Sequence, residues 1–457
     1  MDALFALGLR EAAERIARGE LTSAALAASC ARRTAELEPV IRAWEWFDAD
    51  RLVRLARAAD RRREADGARA SARPYDTLPL SERGRLAGVP IGVKDIIATA
   101  GIPTRMGSPI YRDHVPARSA EVLDRLAHSG ALVAGKTVST EFAFMAPNKT
   151  RNPWNPAHSP GGSSSGSAAA VACGMVPAAI GTQTNGSVIR PAAYCGVVGY
   201  KPGAGRISTV GVLPFSTTVD QPGVFARSVG DAALLASWLT VRDGIIGRRV
   251  TPLRSPPRLI AVRSPVWHKA EAAMRRRFRA DIERLRAAGA HVTERELPDA
   301  FLDGHRVHRV IMLYEAARAS ALVRRHYAAR LSDGLRQALE EGEHTSDADY
   351  RRALAARAAL MSALSGFLDD AHGAIVTPPA TGEAPTVEST GDPAFCTLWT
   401  LCGVPAISLP TALGPRGLPL GIQVVGRSGE SNYLLAVAAW CEASFAFEGL
   451  LERADRA

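Results

Sequence analysis

A short loop crowded with glycine and serine constrains this chain most, because it runs directly into an apolar helix of small residues. Residues 159–174 read Ser-Pro-Gly-Gly-Ser-Ser-Ser-Gly-Ser-Ala-Ala-Ala-Val-Ala-Cys-Gly. A flexible linker does not continue into an apolar stretch, since a linker has nothing to bury. The segment therefore predicts a loop held against a packed core. Its hydroxyls and main-chain amides gather at a helix start, where a developing negative charge is stabilised.

Two familiar motifs resemble this loop, but the sequence satisfies the requirements of neither. Residues 162–166 satisfy the G-x-S-x-G pattern of a nucleophile elbow, but residues 152–160 contain three prolines where that elbow needs a buried strand. A phosphate-binding P-loop requires a lysine, and this loop has none. His158 is predicted to be a loop histidine rather than a catalytic one, because its neighbours are rich in proline.

A second segment places a serine in a tight turn after an apolar, strand-like run. Residues 181–191 read Gly-Thr-Gln-Thr-Asn-Gly-Ser-Val-Ile-Arg-Pro, with Ser187 directly after an Asn-Gly pair. Taken alone, such a serine is usually only a turn residue. Successive main-chain amides here can converge on one point and form an oxyanion hole. The amides in question belong to Thr184, Asn185, Gly186 and Ser187.

A lysine at the end of an apolar strand is the third candidate. Residues 86–95 read Leu-Ala-Gly-Val-Pro-Ile-Gly-Val-Lys-Asp. A lysine in this position is usually a surface charge. This chain, however, uses arginine for most of its cations and has only five lysines, which are Lys94, Lys136, Lys149, Lys201 and Lys269. Arginine cannot give up its proton, whereas a desolvated lysine can, so Lys94 is a candidate general base.

Together the three segments resemble the amidase-signature family, which includes bacterial amidases, fatty acid amide hydrolase and one of the subunits of glutamyl-tRNA amidotransferase. Residues 161–202 follow the family signature almost residue for residue, ending in Pro-Ala-Ala-Tyr-Cys-Gly-Val-Val-Gly-Tyr-Lys-Pro. Weaker similarity covers residues 86–239 and resumes at 377–379, 391–393 and 418–426, and the region between is not diagnostic. The chain looks like a member close to bacterial amidases and urethanases.

The resemblance implies roles for three side chains. Lys94 matches the catalytic lysine, Ser163 the bridging serine that the family holds in a cis peptide, and Ser187 the nucleophile. In the implied mechanism, neutral Lys94 takes a proton from Ser163, which takes one from Ser187 as that oxygen attacks the carbonyl. The amides of residues 184–187 stabilise the oxyanion, Ser163 protonates the departing nitrogen, and water hydrolyses the acyl-enzyme. Burial must lower the pKa of Lys94 from its ordinary value of about 10.4.

The sequence departs from the common family pattern at three positions. Where the family often has Asp-Thr-Gly-Gly-Ser-Ile-Arg, residues 183–190 read Gln-Thr-Asn-Gly-Ser-Val-Ile-Arg. Gln183 thus replaces an acidic residue, Arg190 lies one position later than the usual arginine, and Ser165 replaces a usual glycine. The charge pair expected to brace the loop is therefore absent. Gln183 is expected to hydrogen-bond the loop instead, with Ser164, Ser165 and Arg190 as further supporting residues.

Short apolar runs alternate with loops and helical stretches from residue 86 onward, which predicts an α/β fold. The resemblance implies a large twisted mixed β-sheet flanked on both faces by helices, with a helical peripheral or cap region. We expect a single domain. Its four stretches are N-terminal helices at 1–85, the signature core at 86–240, a variable strand-helix and helical cap region at 241–373, and a C-terminal return to the core at 374–457.

The two ends of this arrangement carry more specific expectations. Two amphipathic helices are predicted within residues 9–37, the second opened by Thr22 or Ser23 and stopped before Pro39. A polar, proline-containing connection is expected to lead to Arg85. Residues 299–372 are predicted to be almost entirely helical and to cover the leaving-group side of the site.

Charge and cysteine usage narrow the possible partners. The net charge of +10 does not predict nucleic-acid binding, because the arginines are interleaved with acidic residues and no basic run exceeds residues 275–277. The six cysteines lack metal-binding spacing and are predicted to be reduced, buried thiols. With no secretory signal and no long apolar run, we expect a cytoplasmic protein without membrane contact. We expect no metal or organic cofactor, a monomer or homodimer, and a small amide, anilide or carbamate as substrate.

Two alternatives stay open. One is the glutaminase subunit of a tRNA-dependent amidotransferase, with obligatory protein partners. The other is an esterase or urethane hydrolase of the same fold, because the same proton relay permits ester and carbamate cleavage. A catalytically silent scaffold is disfavoured, since all three catalytic positions are intact. An apolar acyl pocket, with plain core packing as the equal alternative, is predicted to be lined in part by Phe142, Phe144, Met145 and Trp154.

Overall fold

Eleven strands join in one sheet within the part of the chain that the computed structural model describes, which is residues 3–67, 86, 88–242, 244–368, 373–445 and 447–451. In chain order they are β1 (Trp44–Phe47), β2 (Pro90–Lys94), β3 (Leu132–Thr137), β4 (Ala178–Gln183), β5 (Val198–Lys201), β6 (Gln221–Ala226), β7 (Arg258–Arg263), β8 (His291–Glu296), β9 (Ala374–Thr377), β10 (Ala406–Leu413) and β11 (Pro419–Val425). Their order across the sheet is β1-β3-β2-β4-β6-β5-β10-β11-β9-β7-β8.

The helices that accompany the sheet alternate with its strands along much of the chain. They are α1 (Leu9–Ala17), α2 (Ser23–Ile41), α3 (Ala49–Gly67), α4 (Glu121–His128), α5 (Ser165–Ala172), α6 (Ile189–Cys195), α7 (Val229–Leu239), α8 (Ala272–Ala287), α9 (Gly304–Ala319), α10 (Ala321–Tyr327), α11 (Asp333–His344), α12 (Asp347–Phe367), α13 (Ala394–Leu401) and α14 (Ser431–Phe445).

The sheet is mixed, as the resemblance implied. Strand β2 pairs in parallel with β3 and β4, and β7 pairs in parallel with β8 and β9. The strands between these two groups run antiparallel to their neighbours. Strand β10 lies beside β5, so the C-terminal part of the chain returns to the middle of the sheet.

Helices cover both faces of the sheet, because successive side chains of a strand point to opposite sides. In β4, Ala178 and Ile180 belong to a buried cluster that also contains Leu235 of α7 and Leu434 of α14. The intervening Ala179 belongs to a second cluster, which contains the alanines of α5. This arrangement confirms the predicted α/β fold with helices on both faces.

The predicted helical region forms α9 to α12, and residues 369–372 of it lie outside the described residues. On one side, Ile311 of α9 packs in a cluster with Leu360 of α12 and Trp399 of α13. Further along the same helix, Leu313 packs in a cluster with Leu339 of α11. Helix α9 therefore packs against α12 and α13 through one set of side chains and against α11 through another.

Helix α2 begins as predicted but ends later. The hydroxyl of Thr22 accepts the Ala25 amide at 3.1 Å, which is an N-cap. The prediction that the helix stops before Pro39 is wrong, because α2 continues to Ile41. A proline in the last turn removes only one helical hydrogen bond, and the Glu38 carboxylate accepts the amides of residues 43 and 44 beyond the helix, at 2.9 and 3.0 Å. The predicted connection before Arg85 lies outside the described residues.

The cysteine prediction is confirmed, since all six thiols, each in the described ranges, are buried and unpaired. Burial raises the pKa of the Cys30 thiol to about 12, which keeps it protonated and unreactive. Across the described ranges, no helix combines the length and apolar character needed to cross a bilayer.

Two glycines of α11 provide a test of the packing between α9 and α11. A methyl group at Gly342 would lie 1.9 Å from the main-chain oxygen of Leu313 on α9, whereas nothing lies within 4 Å of one at Gly334. We expect Gly342→Ala to force the helices apart and lower the free energy of unfolding by about 1–3 kcal/mol. Gly334→Ala should leave it unchanged or raise it by up to about 1 kcal/mol. Urea unfolding followed by circular dichroism measures both, and equal stabilities would contradict this packing.

Candidate active site

Lys94 ends strand β2 in the interior of the sheet and is fully buried. Its Nζ lies 2.7 Å from Ser163 Oγ and 2.9 Å from Thr182 Oγ1. Thr182 stands on β4, which runs parallel to β2, so both side chains project near the same edge of the sheet. The structure thus brings together two of the three predicted catalytic side chains, and it adds a threonine.

Burial lowers the pKa of Lys94 well below its usual value, and the negative charge of Asp220 opposes this only in part. Removing an ammonium group from water costs free energy, which favours the uncharged amine. The two hydrogen-bond partners of Nζ are hydroxyls rather than carboxylates. The uncharged amine is the form that can accept a proton.

The small number of lysines does not by itself single out Lys94 as a base, because Lys136 and Lys201 are also fully buried. Lys136 Nζ donates to two threonine hydroxyls, both at 2.9 Å. Lys201 Nζ donates to Gln221 Oε1 at 2.6 Å, and burial lowers its pKa to about 7. What distinguishes Lys94 is its contact with Ser163.

The loop that carries Ser163 has the backbone that the resemblance implied, since the Gly162–Ser163 peptide bond is cis. No strand is formed by residues 151–162, so the loop does not follow a buried strand as a nucleophile elbow would. The main-chain oxygen of Ser163 accepts the Thr140 amide at 3.2 Å. The His158 ring contacts another part of the chain than Ser163, since its Nδ1 lies 2.9 Å from the Ala384 carbonyl oxygen.

Two supporting serines attach this loop to its surroundings. Ser164 Oγ donates to the Thr182 carbonyl at 3.2 Å and accepts the Thr182 amide at 3.3 Å. Ser165 Oγ donates to the Gly161 carbonyl at 2.7 Å and accepts from the Asn148 side chain at 2.9 Å. The loop is therefore held against β4 by side chains of its own sequence.

Ser187 lies in the turn between β4 and α6 and is 7% exposed. Its hydroxyl has no hydrogen-bond partner among the described residues. The main-chain amides of residues 184–187 likewise have no acceptor in the described part of the chain. The next two amides, of Val188 and Ile189, donate to Gln183 Oε1 at 2.8 and 3.0 Å. Four successive donors are thus left available beside Ser187.

Gln183 braces the turn in place of the acidic residue common in the family. It is buried, and its Nε2 donates to Thr400 Oγ1 at 2.9 Å while Oε1 accepts the two amides. Thr400 in turn donates to the main-chain oxygen of Asn185 at 2.6 Å, and Thr397 donates to the Asn185 side chain at 2.7 Å. Neutral hydrogen bonds to α13 therefore replace a charge pair.

Arg190 connects the turn that carries Ser187 to the serine loop. Its buried guanidinium donates through Nη2 to the Gly162 carbonyl at 2.8 Å. Its Nε and Nη1 have no partner in the ranges that the structure describes. The contact fixes the loop through the residue that precedes Ser163, so Arg190 supports the site without pairing with Gln183.

Asp220 carries the negative charge that raises the pKa of Lys94 against the effect of burial. Its carboxylate accepts the Thr184 hydroxyl at 2.5 Å and the amides of Phe215 and Ser216 at 2.8 and 2.9 Å. Burial nevertheless raises the pKa of Asp220 to about 6. Above that pH the carboxylate is charged and limits how far the pKa of Lys94 can fall.

A narrow groove of about 40 Å³ lies beside this carboxylate. Its apolar walls include Ile96, Ala143, Val212, Leu213 and Phe215, and its polar lining includes Thr182, Thr184, Asp220 and Gln221. Because Thr182 also contacts Lys94, the groove reaches the immediate surroundings of the buried amine.

The four predicted pocket residues divide into two groups. Phe144 stacks on Phe215, a residue of the groove, with ring centres 5.5 Å apart, and Met145 is 39% exposed. Phe142 is only 3% exposed and packs in the core with α9 and α11. Trp154 donates its indole N–H to the Cys195 carbonyl at 2.9 Å. Core packing thus describes Phe142, while a pocket role for Phe144, Met145 and Trp154 stays a prediction.

Several site residues were missed by sequence reasoning. Thr182 lay inside the signature of residues 161–202 and Asp220 within the weaker similarity over residues 86–239, but neither had a predicted role. Thr400 and His308 reach the turn from more than one hundred residues away, with separations of 215 and 124. No local pattern marks a side chain that acts across such a separation. In the described ranges, no group of three or more His, Cys, Asp or Glu side chains is placed to bind a metal ion.

Known proteins are similar to this chain along most of its length. The family model described as Amidase matches residues 25–435. The A-type subunit of glutamyl-tRNA(Gln) amidotransferase from Roseiflexus castenholzii is 33% identical over 501 residues, covering 96% of this chain and 95% of the relative. A solved structure described as an amidase is 30% identical with a TM-score of 0.83, covering 96% and 100% of the two chains. Native peptide amidase from Stenotrophomonas maltophilia is 28% identical with a TM-score of 0.78, covering 96% and 97%.

The bracing by Gln183 can be tested through stability. Gln183→Leu leaves the buried amides of Val188 and Ile189 without an acceptor, so we expect the free energy of unfolding to fall by about 1–3 kcal/mol. Gln183→Glu retains an acceptor oxygen and should lose less. Guanidinium unfolding of the two variants and the wild type measures the difference, and a Gln183→Leu protein as stable as wild type would contradict this role.

Proposed function

Because this chain belongs to the amidase family, and is therefore an enzyme that hydrolyses carbon–nitrogen bonds, we propose that it acts through an acyl-enzyme formed on Ser187. The observation that carries the proposal is the 2.7 Å contact between the buried Lys94 amine and the Ser163 hydroxyl. A serine hydroxyl is a weak nucleophile and needs a base that removes its proton. In this proposal the base is Lys94 rather than a histidine.

The relay runs from Ser187 to Ser163 to Lys94. Uncharged Lys94 accepts the proton of Ser163, and Ser163 accepts the proton of Ser187 as Ser187 Oγ attacks the substrate carbonyl carbon. The low pKa that burial gives Lys94 supports this direction of transfer. Thr182 accepts a hydrogen bond from the same amine and so holds Nζ toward Ser163.

The tetrahedral intermediate needs donors for its oxyanion, and the amides of residues 184–187 are proposed to supply them. These amides are the ones left without an acceptor in the described structure, while the two that follow are satisfied by Gln183. Preorganised main-chain donors of this kind are worth several kcal/mol in a transition state.

The leaving nitrogen requires a proton, because an amide anion is too poor a leaving group. Lys94, now protonated, returns the proton through Ser163 to that nitrogen, and the carbon–nitrogen bond breaks. Water then attacks the acyl group on Ser187 by the same relay and releases the acid. Anilides and esters satisfy the same chemistry, since only the leaving group differs. Carbamates also satisfy it, since they present the same carbonyl with an oxygen in place of the acyl carbon.

The acyl side of the substrate is proposed to bind in the groove next to Thr182 and Thr184. Its apolar walls suit an aliphatic or aromatic group. We place the acyl part of the substrate there, beside Phe144, which stacks on Phe215 of the groove wall, and propose Met145 as a further lining residue. The helices that follow residue 299 are proposed to cover the leaving-group side.

A second candidate function is the glutaminase subunit of a tRNA-dependent amidotransferase. It is favoured by relatives named as subunits of glutamyl-tRNA(Gln) amidotransferase, which are 33% identical across nearly the full length of both chains. Such a function would restrict hydrolysis to glutamine and would require protein partners. The same relay would serve it, so the choice of substrate is what separates the two candidates.

Replacement of the nucleophile is the direct test. We expect Ser187→Ala to abolish hydrolysis of every substrate in a panel of short aliphatic amides, anilides, aryl carbamates, esters and glutamine, measured as released amine or alcohol. Lys94→Arg should lose activity by a factor of roughly 10³ or more, since a guanidinium keeps its proton. Lys269→Arg, at an exposed lysine that pairs with Asp392, is the matched control and should keep wild-type rates.

The outcomes of the panel separate the candidates. Activity on short amides by the isolated chain supports the amidase, and hydrolysis confined to glutamine supports the amidotransferase function. Full activity of Ser187→Ala, or of Lys94→Arg, would overturn the proposed relay.

The pH profile tests the charge state of Lys94. Because the uncharged amine is the base, kcat/KM should rise as pH increases through the pKa of Lys94. Since burial lowers that pKa well below 10.5, the plateau should be reached at a pH well below 10.5. Stopped-flow or steady-state rates between pH 5 and 11 measure this, and a rate that falls as the lysine loses its proton would contradict the assignment.

A further inference from the structure

Helix α9 reaches the turn that carries Ser187 through a buried histidine. His308 is 1% exposed, and its Nε2 lies 2.9 Å from the main-chain oxygen of Thr184. A carbonyl oxygen only accepts hydrogen bonds, so Nε2 carries the proton and the ring donates. Burial lowers the pKa of His308 to about 4, so the ring is neutral above that pH.

The contact with the Thr184 carbonyl also determines where the next amide points. A peptide unit is planar, and in the trans form its C=O and the following N–H point in opposite directions. The carbonyl of Thr184 is directed at His308, so the N–H of Asn185 is directed away from His308. That amide is one of the four proposed oxyanion donors.

The next two peptide units are held in the same manner by other groups. The Asn185 carbonyl accepts the Thr400 hydroxyl at 2.6 Å, and the Gly186 carbonyl accepts the Arg190 amide at 2.9 Å. Each carbonyl of residues 184–186 therefore has a protein donor, while the amides that follow them have no acceptor in the described residues. This is the arrangement that an oxyanion site requires.

A second contact of α9 supports the same turn indirectly. Glu315 lies seven residues after His308, on the same side of the helix. Its carboxylate accepts the Ser216 hydroxyl at 2.6 Å and the Thr218 amide at 3.0 Å. Ser216 also donates its amide to Asp220, which accepts the Thr184 hydroxyl. Thr184 is thus held through its carbonyl by His308 and through its side chain by the loop that Glu315 anchors.

We propose that His308 is a positioning residue that orients the Asn185 amide toward the oxyanion of the tetrahedral intermediate. His308 does not touch the substrate; it acts through the Thr184–Asn185 peptide unit. The inference rests on the proposed function, since it assigns residues 184–187 to the oxyanion. It extends that function by making a helix outside the recognised signature part of the catalytic geometry.

Three substitutions at His308 test the inference. His308→Leu removes the donor, His308→Asn places an amide nitrogen near the position of Nδ1, and His308→Gln places one near the position of Nε2. We expect kcat to fall by roughly 10- to 100-fold in the Leu and Asn variants while KM stays within about twofold, because the lost interaction acts in the transition state. His308→Gln should restore kcat to within about threefold of wild type. Steady-state kinetics on the best amide of the panel give both constants.

A histidine on the same helix offers a matched control. His305 is partly buried, and its Nε2 lies 2.9 Å from the Ala394 carbonyl oxygen, outside the turn. His305→Leu and His305→Gln should both keep kcat within about twofold. Circular dichroism of every variant at the assay temperature identifies any that does not fold. If His308→Leu fails to fold, the comparison of Gln with Asn decides alone.

The results distinguish failure of the inference from failure of the proposed function. Wild-type kcat in His308→Leu, equal kcat in folded Gln and Asn variants, or a change confined to KM would overturn the role of His308. If Ser187→Ala is inactive in the same experiments, the proposed function stands without it. If Ser187→Ala is fully active, the proposed function itself is wrong.

Discussion

One amine, removed from water at the end of β2, determines what the rest of the site must provide. Lys94 touches two hydroxyls and depends on Asp220 only for a more distant charge, so burial rather than pairing sets its protonation. Burying it requires the serine loop to approach the sheet closely. A side chain at Gly181 would lie 2.6 Å from Ser164 Oγ, and one at Gly166 would lie 2.2 Å from a main-chain oxygen. The small residues of the signature therefore permit the close packing that lowers the pKa of Lys94.

The site around this amine is assembled from distant parts of the chain with different tasks. The signature segments supply the groups proposed to react, which lie on β2, the serine loop and the turn after β4. Helices α13 and α9 supply donors for the carbonyls of that turn. Turning the carbonyls of residues 184–186 toward protein leaves the intervening amides free. In the proposed mechanism, activation of the nucleophile and stabilisation of the oxyanion thus depend on separate regions of the chain, which meet at the turn of residues 184–187.

Sequence reasoning reached the fold class, the Lys94–Ser163 pair and the cis bond, because the chemistry of each is encoded within a short stretch or a recognisable signature. It also anticipated that Gln183 would hydrogen-bond the turn. It missed the contacts of Thr400 and His308. Their hydrogen bonds to the turn join residues 215 and 124 positions apart, and contacts at such separations produce no local sequence pattern. It placed the end of α2 too early at Pro39, because a proline in the last turn removes only one helical hydrogen bond, and the contacts that fix the residues after the helix are seen only in the structure.

The return of the chain to the middle of the sheet has a consequence for biosynthesis. Strand β5 leaves the ribosome long before β10, the neighbour that completes its hydrogen bonding. The two are separated by roughly two hundred residues, which takes about 10–40 s at ordinary rates of translation. During that interval the nascent chain exposes an unpaired apolar strand edge, which is a site for aggregation. The exposed edge of β5 is therefore open to wrong pairing until β10 has been made.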